Sequence, residues 1–168
     1  GQDHGRDDAP PERRGPHAPD RVRGYQAVIA TFLGVSAAGT LLVDRVRPVP
    51  QVPAPASRTE EWSDVVLVGV ATHRLARLVT KDRVATPLRA PFTRYEGPGG
   101  PAEVNEKPVG TGWRLSVGAL PCCPYCIAVW IATAASLGLQ LAPRLTRGVL
   151  RAASSVAIAD ALQFVYVD

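Results

Sequence analysis

The sequence predicts an all-α fold: a small integral membrane helical bundle of about four spans, the second short and amphipathic, behind a disordered N-terminal tail. Three observations carry this. No charged residue occurs over 24–43 or over 115–143, and each stretch reaches the roughly 18 largely apolar residues of a membrane-crossing helix. The charges sit in blocks that flank these stretches instead of alternating with apolar residues. No segment sustains the period-two alternation of a half-buried strand.

Residues 1–23, GQDHGRDDAPPERRGPHAPDRVR, are charged and Pro-rich and hold too little apolar surface to order themselves, so they form the tail. They contain no short apolar region followed by a small-residue cleavage site. The apolar helix at 24–46 is therefore expected to be an uncleaved anchor, and the absence of any methionine is read as trimming. Gly34, Ser36 and Gly39 give this helix a small-residue edge for close contact. Residues 47–58 form an extended Pro-rich linker, and 59–168 form the helical membrane domain.

That domain opens with a helix capped by Thr59 or Ser57, with Glu60, Glu61 and Asp64 in its first turns. Its apolar part, 65–72, is too short to cross alone. A Gly/Pro-rich loop follows at 95–112, written GPGGPAEVNEKPVGTG from Gly97. Pro124 suits the first turn of the third apolar helix, which Pro143 stops. The last helix, 145–167, is interrupted by Arg147, Arg151 and Asp160.

Charge asymmetry orients the spans. With the tail in the cytoplasm, that side holds Arg6, Arg13, Arg14, Arg21, Arg23, Lys81, Arg83, Arg89, Arg94, Lys107 and Arg114. The outer side holds only Arg45, Arg47, Arg58, Arg144 and Arg147. The excess places both termini inside a multi-pass protein of the cell membrane. Tyr25, Tyr125 and Tyr166 then fall at the cytoplasmic boundary and Trp62 at the outer one, where amphipathic aromatics collect. The net charge of +4 belongs to these flanks, so no nucleic-acid partner is expected. The expected partners are membrane lipids and other membrane subunits, or further copies of the chain.

Within LPCCPYCIAVW (120–130), Cys123-Pro124-Tyr125-Cys126 spells the glutaredoxin tetrapeptide. The thioredoxin-like fold that uses it needs strands and a cis-proline loop downstream, and only helix-like sequence follows here. Three readings of the cysteines stay open. They pack as small thiols at a helix start; they bind zinc as Cys122, Cys123 and Cys126 with His73; or Cys123 is a nucleophile activated by the helix N-terminus. In a reducing cytosol a permanent disulfide is not expected. No cofactor is expected, zinc being the single candidate.

Arg74, Arg77 and Lys81 share one face of the second helix. Arg77 and Lys81 can snorkel to the headgroups, but Arg74 is deeper. Arg74 lies eight residues before Asp82, and Asp160 eight before Asp168. In two parallel spans these charges lie at like depth, so an interhelical ion pair of Arg74 with Asp160 is expected, Arg77 being the alternative partner.

ATHRLARLVTKDRVATPLRAPF, followed by LPCCPYCIAVWIA and a final helical hairpin, resembles the small bacterial membrane proteins grouped as domain of unknown function 1360. Arg74, Arg77, Leu78 and Asp82 match that family's first motif, and Cys123, Pro124 and Cys126 its second. The resemblance covers 62–166, outside which lie the tail and first helix. Cys122 and the long Gly/Pro loop are departures within it. It implies a bacterial membrane protein without an assigned activity; some members are associated with spore formation.

No G-x-S-x-G, phosphate-binding loop, H-E-x-x-H or paired-carboxylate arrangement occurs, so hydrolase and nucleotide-binding chemistry have no support. The expected function is a non-enzymatic scaffold or accessory subunit of a larger membrane assembly. The alternatives are a membrane-anchored, cytoplasm-facing thiol-redox or zinc protein and a small transport or pore component.

Overall fold

A computed structural model describes residues 19–46 and 58–166. The tail expected at 1–23 and the linker at 47–58 fall almost entirely outside them. The described chain is mostly helical and forms two compact units, one of 19–33 with 79–123 and one of 34–46 and 58–78 with 124–166. Helix α1 (Pro19–Val46) and helix α2 (Arg58–Thr80) each contribute to both. Helix α1 starts earlier than the apolar run because Pro19 is preorganised for a first helical turn and Arg21 and Arg23 favour helix.

In the first unit, α2 gives way to a 3₁₀ turn, Arg83–Ala85, and a single helical turn, α3 (Thr86–Arg89). An antiparallel pair follows, β1 (Thr93–Pro98) and β2 (Val104–Pro108). This hairpin corrects the expectation of a plain loop at 95–112 and adds a β element to the all-α reading. Its register pairs Thr93 with Pro108, Tyr95 with Glu106 and Pro98 with Val104. Glu96 is the extra residue of a bulge between Tyr95 and Gly97, which lets a strand so rich in Gly and Pro keep pairing.

The tip turns through Gly99–Glu103, where Ala102 adopts a left-handed backbone at φ 59°. That turn is fixed from outside. Arg83 N donates to Ala102 O at 3.0 Å, and Val104 N donates to Lys81 O at 2.9 Å. The chain leaving α2 therefore acts as a short third edge, with Asp82 bridged to Glu103.

Helix α4 (Trp113–Ala119) starts after Gly112, whose φ of 57° is a conformation glycine adopts freely. It packs against β2, and Gly118 makes the approach close. A Cβ there would lie 2.8 Å from Phe92 O and 3.3 Å from Pro108 Cβ. Gly118→Val is expected to destabilise this unit by about 1–3 kcal/mol, because the obstruction is partly backbone and cannot rotate away. Faster proteolysis within 93–118 would report it. The first half of α1 approaches α4 equally closely, since a Cβ on Gly24 would overlap Ser116 Oγ.

The second unit holds the rest of α2 with α5 (Pro124–Leu141) and α6 (Pro143–Tyr166). Pro143 ends one helix and begins the next, so α5 and α6 form an antiparallel hairpin. Gly138 is the small residue at that turn, its missing Cβ 2.8 Å from Thr146 Oγ1. The core is Ala71, Ala135 and Leu150, with Leu67, Val68, Leu139 and Ala153 around it. Gly39 of α1 likewise meets Leu137 of α5, at 2.5 Å from a built Cβ to Cδ1. Small residues here let helices approach without large knobs.

Among the described residues two helices are long and apolar enough to cross a membrane, 22–46 in α1 and α5 itself. Only 6% of each apolar window is buried inside the protein, so these are not core helices of a water-soluble globule. The number of spans expected, about four, exceeds these two by α2 and α6, which carry charges.

Candidate functional site

The most buried charged group of the first unit is Arg89, 1% exposed, paired with Glu106 at 3%. Helix α3 aims Arg89 inward because Ala85 and Arg89, one turn apart, form its buried side. Strand β2 aims Glu106 inward because Val104, Glu106 and Pro108 lie on one face of the pleat. The contact is bidentate: Arg89 Nε donates to Glu106 Oε2 at 3.0 Å and Nη2 to Oε1 at 3.1 Å.

The remaining donors have partners. Arg89 Nη1 donates to Val79 O at 2.7 Å and to Asp82 O at 3.2 Å, which satisfies carbonyls at the C-terminus of α2. Thr86 Oγ1 donates to Glu106 Oε1 at 3.3 Å. Thr93 Oγ1 lies 3.0 Å from Arg89 O and also contacts Glu106 Oε2, and its one proton serves either at a time. Burial alone would lift the Glu106 carboxyl, but the hydrogen bonds from Arg89, Thr93 and Thr86 outweigh it and hold it below the usual 4.5.

One residue thus ties three pieces together: the end of α2, the α3 turn and the hairpin. Its charges face each other and the backbone, with no side exposed for a substrate, so the pair is a clamp. Sequence reasoning missed it by counting Arg89 among the solvated cytoplasmic charges. The available signal was the period-two spacing of Val104, Glu106 and Pro108, which places Glu106 with the apolar face once 104–108 is read as a strand.

The cysteines follow directly. A 3₁₀ turn, Leu120–Cys122, leads to Cys123 in extended conformation and then to Pro124 at the first position of α5. Cys123 and Cys126 are disulfide-bonded as a pair, and Cys122 keeps its free thiol. The structure holds this pair oxidised, where reduced thiols were expected, because three-residue spacing across a helix start brings the sulfurs within bonding reach. A disulfide sulfur is no thiolate, so in this oxidised state Cys123 and Cys126 offer no ligand to the expected zinc set of Cys122, Cys123, Cys126 and His73. Among the described residues no group of three His, Cys, Asp or Glu could hold a metal ion. His73 sits exposed on α2.

Cys122 is half-buried, and its thiol is pushed up to about 11, first by burial and then by the Glu106 carboxylate, with Arg89 partly opposing. It is a poor nucleophile at neutral pH. Its alkylation by iodoacetamide at pH 7.5 is expected to run about a hundredfold slower than that of a free thiol, and denaturation to abolish the difference.

In the second unit two ion pairs join α2 to α6. Arg147 grips Asp64, with Nε to Oδ1 at 3.2 Å and Nη2 to Oδ2 at 2.7 Å. Arg74 Nε lies 2.9 Å from Asp160 Oδ2, although the N–H is not aligned on that oxygen as a hydrogen bond requires. Arg77, one turn on, is half-buried and engaged in a contact of its own. Between the pairs Ser154 Oγ donates to Leu67 O at 3.3 Å. The order 64, 67, 74 on α2 meets 147, 154, 160 on α6, so the helices run parallel. Leu78 is half-buried near the end of α2, and the Asp82 carbonyl receives Arg89.

The fold and these contacts describe a mostly helical, membrane-compatible protein whose described charge clusters pair helix with helix and helix with strand. Residues 67–166 match the family described as protein of unknown function (DUF1360), and the chain belongs to it. The matched region contains Arg74, Asp160, the Arg89–Glu106 clamp and all three cysteines. The chain is also similar to the sporulation protein YjcA of Bacillus subtilis (strain 168), 37% identical over 71 residues. That match covers 40% of this chain and 60% of the relative, so less than two thirds of the relative's length is spanned. No solved structure matches.

Proposed function

We propose that the chain is a non-enzymatic scaffold or accessory subunit of a membrane assembly, with α1, α2, α5 and α6 as four spans and both termini cytoplasmic. The observation that carries it is the pair of long apolar helices left almost wholly unburied by the protein itself. Such surface is stable only against lipid or other apolar helices. Alternating spans require α2 and α6 to run the same way, and the order of their ion pairs supports this. The hairpin unit between α2 and α5 then lies on the cytoplasmic face, where a scaffold would present it.

The test is reporter fusion combined with alkaline extraction of native membranes. The reading expects a carbonate-resistant protein with cytoplasmic reporter activity at both termini and a partner, or a second copy, copurifying from mild detergent. A protein released by carbonate, or a C-terminus on the outer side, would overturn it.

A second reading is a membrane-anchored thiol–disulfide protein, favoured by one observation: the Cys123–Cys126 pair is oxidised while Cys126 is exposed. It predicts a dithiol that cycles between states in cells, measurable by mass-tagging of thiols after acid trapping. A pair locked in one state under all growth conditions sinks it.

A further inference from the structure

We infer that the turn carrying Val84 and Leu88 docks onto the surface of an anionic bilayer, inserting both side chains between lipid headgroups. This rests on the membrane reading above and adds a specific contact to it. Among the described large apolar residues, Val84 at 77% and Leu88 at 76% are surpassed in exposure only by Tyr125 at 86%. They lie one turn apart on the exposed side of 83–89, each next in sequence to a buried residue, Ala85 or Arg89. Arg83 stands beside them, exposed and without an ion pair among the described residues.

The position of this turn is fixed from within. Arg89 Nη1 bonds to Val79 O and Asp82 O, so the inner side of the turn is bolted to the last carbonyls of α2. Val84 stands four residues beyond Thr80, the end of that helix. The chain can carry it at most about 14 Å from there, so the headgroup layer, about 5–7 Å thick beside the hydrocarbon core, lies within its reach. The unit's other end, Cys123, passes directly into the apolar α5. One attachment therefore lies at the start of a helix apolar enough to cross a membrane, and the other at the end of α2, a span in the reading above. Two apolar side chains projecting beside a cation, held a few residues from a helix end, fit a layer with buried acyl carbons beneath negative phosphates.

The chemistry is non-covalent: apolar burial by Val84 and Leu88 and charge attraction by Arg83. A protein partner would use the same apolar surface. The bilayer is favoured because the surface carries a cation and is tethered by its own chain to a helix apolar enough to cross a membrane.

The experiment uses the full chain reconstituted in vesicles of phosphatidylcholine with phosphatidylglycerol. Leu88→Trp is made with Trp62→Phe, Trp113→Phe and Trp130→Phe, leaving a single indole at an exposed site. Lipids brominated near the headgroup end of the acyl chain are expected to quench it at least about twofold more than lipids brominated at the chain terminus. Quenching should not change with protein-to-lipid ratio. Brominated phosphatidylglycerol should quench more than brominated phosphatidylcholine, and Arg83→Glu should erase that difference. Quenching by aqueous iodide with none by bromine would overturn the inference, leaving the turn free for a protein partner. Shielding only at high protein-to-lipid ratio would overturn it in favour of a second copy. In either case a carbonate-resistant chain would leave the membrane reading standing, and only a released chain would remove both.

Discussion

Arg89→Ala is expected to unfold the hairpin unit while leaving the α5–α6 hairpin in place, at a cost of about 3–5 kcal/mol. The mutation leaves the Glu106 carboxylate buried without its cation and returns the Val79 and Asp82 carbonyls to an unsatisfied state. Glu106→Ala should cost about as much, because it strands the guanidinium instead. The discriminating variant is the double replacement Arg89→Met with Glu106→Leu. It should be less damaging than either single change, since two apolar groups of like volume need no partner. Proteolysis at 93–108 and thermal unfolding of the detergent-solubilised protein would rank the three. A double variant worse than both singles would refute the clamp account.

The same pair sets an acid limit. The Glu106 carboxyl is held below its ordinary 4.5 in the folded chain, so the unfolded state binds the proton more readily. The stability it contributes is present above 4.5 and is lost as pH falls through the lowered value. Hairpin protection against hydrogen exchange is therefore expected to fall as pH drops below about 4.5, and Glu106→Gln to flatten that dependence.

Asp160→Arg is the second change with a large expected effect, because it sets two guanidinium groups against each other where α2 meets α6. The size of the response measures the surroundings. A pair in water contributes about 0–1 kcal/mol, whereas an unpaired charge within a bilayer costs about 2.5–3.5 kcal/mol on insertion scales. For a pair with side chains 18% and 43% exposed inside the protein, the larger figure applies only if lipid covers the exposed part. In lipid nanodiscs, Asp160→Arg is expected to lower stability by about 2–3 kcal/mol, and Arg74→Asp combined with Asp160→Arg to recover most of it. A loss below about 1 kcal/mol would place the pair in water and argue against α2 and α6 as spans.

What could be read from the residues differs by the range of the interaction. Apolar runs and prolines specify helices locally, so 24–46 and the helix starting at Pro124 were legible, as was the turn at Pro143. That Arg74 and Asp160 stand at matching positions along their helices follows from counting, because rise per residue is constant along a helix, and their atoms lie 2.9 Å apart. The hairpin was not legible. Its strands hold Gly97, Pro98 and Pro108, residues that argue for loop, and its stability comes from Arg89, which is remote in sequence and looks like any surface cation. Nor could the state of Cys123 and Cys126 be read, since residue type sets reach but not oxidation.

The two links between α2 and α6 have opposite polarity. At one end the acid, Asp64, belongs to α2; at the other the acid, Asp160, belongs to α6. The last helix leaves the ribosome after its neighbours and must choose how to settle against them. Settled upside down, Asp160 would face Asp64 and Arg147 would face Arg74, two repulsions in place of two attractions. Either link alone could be met by sliding or tilting the helix, but the two together admit one direction. They act as a keyed connector, and the information they hold concerns direction as much as strength.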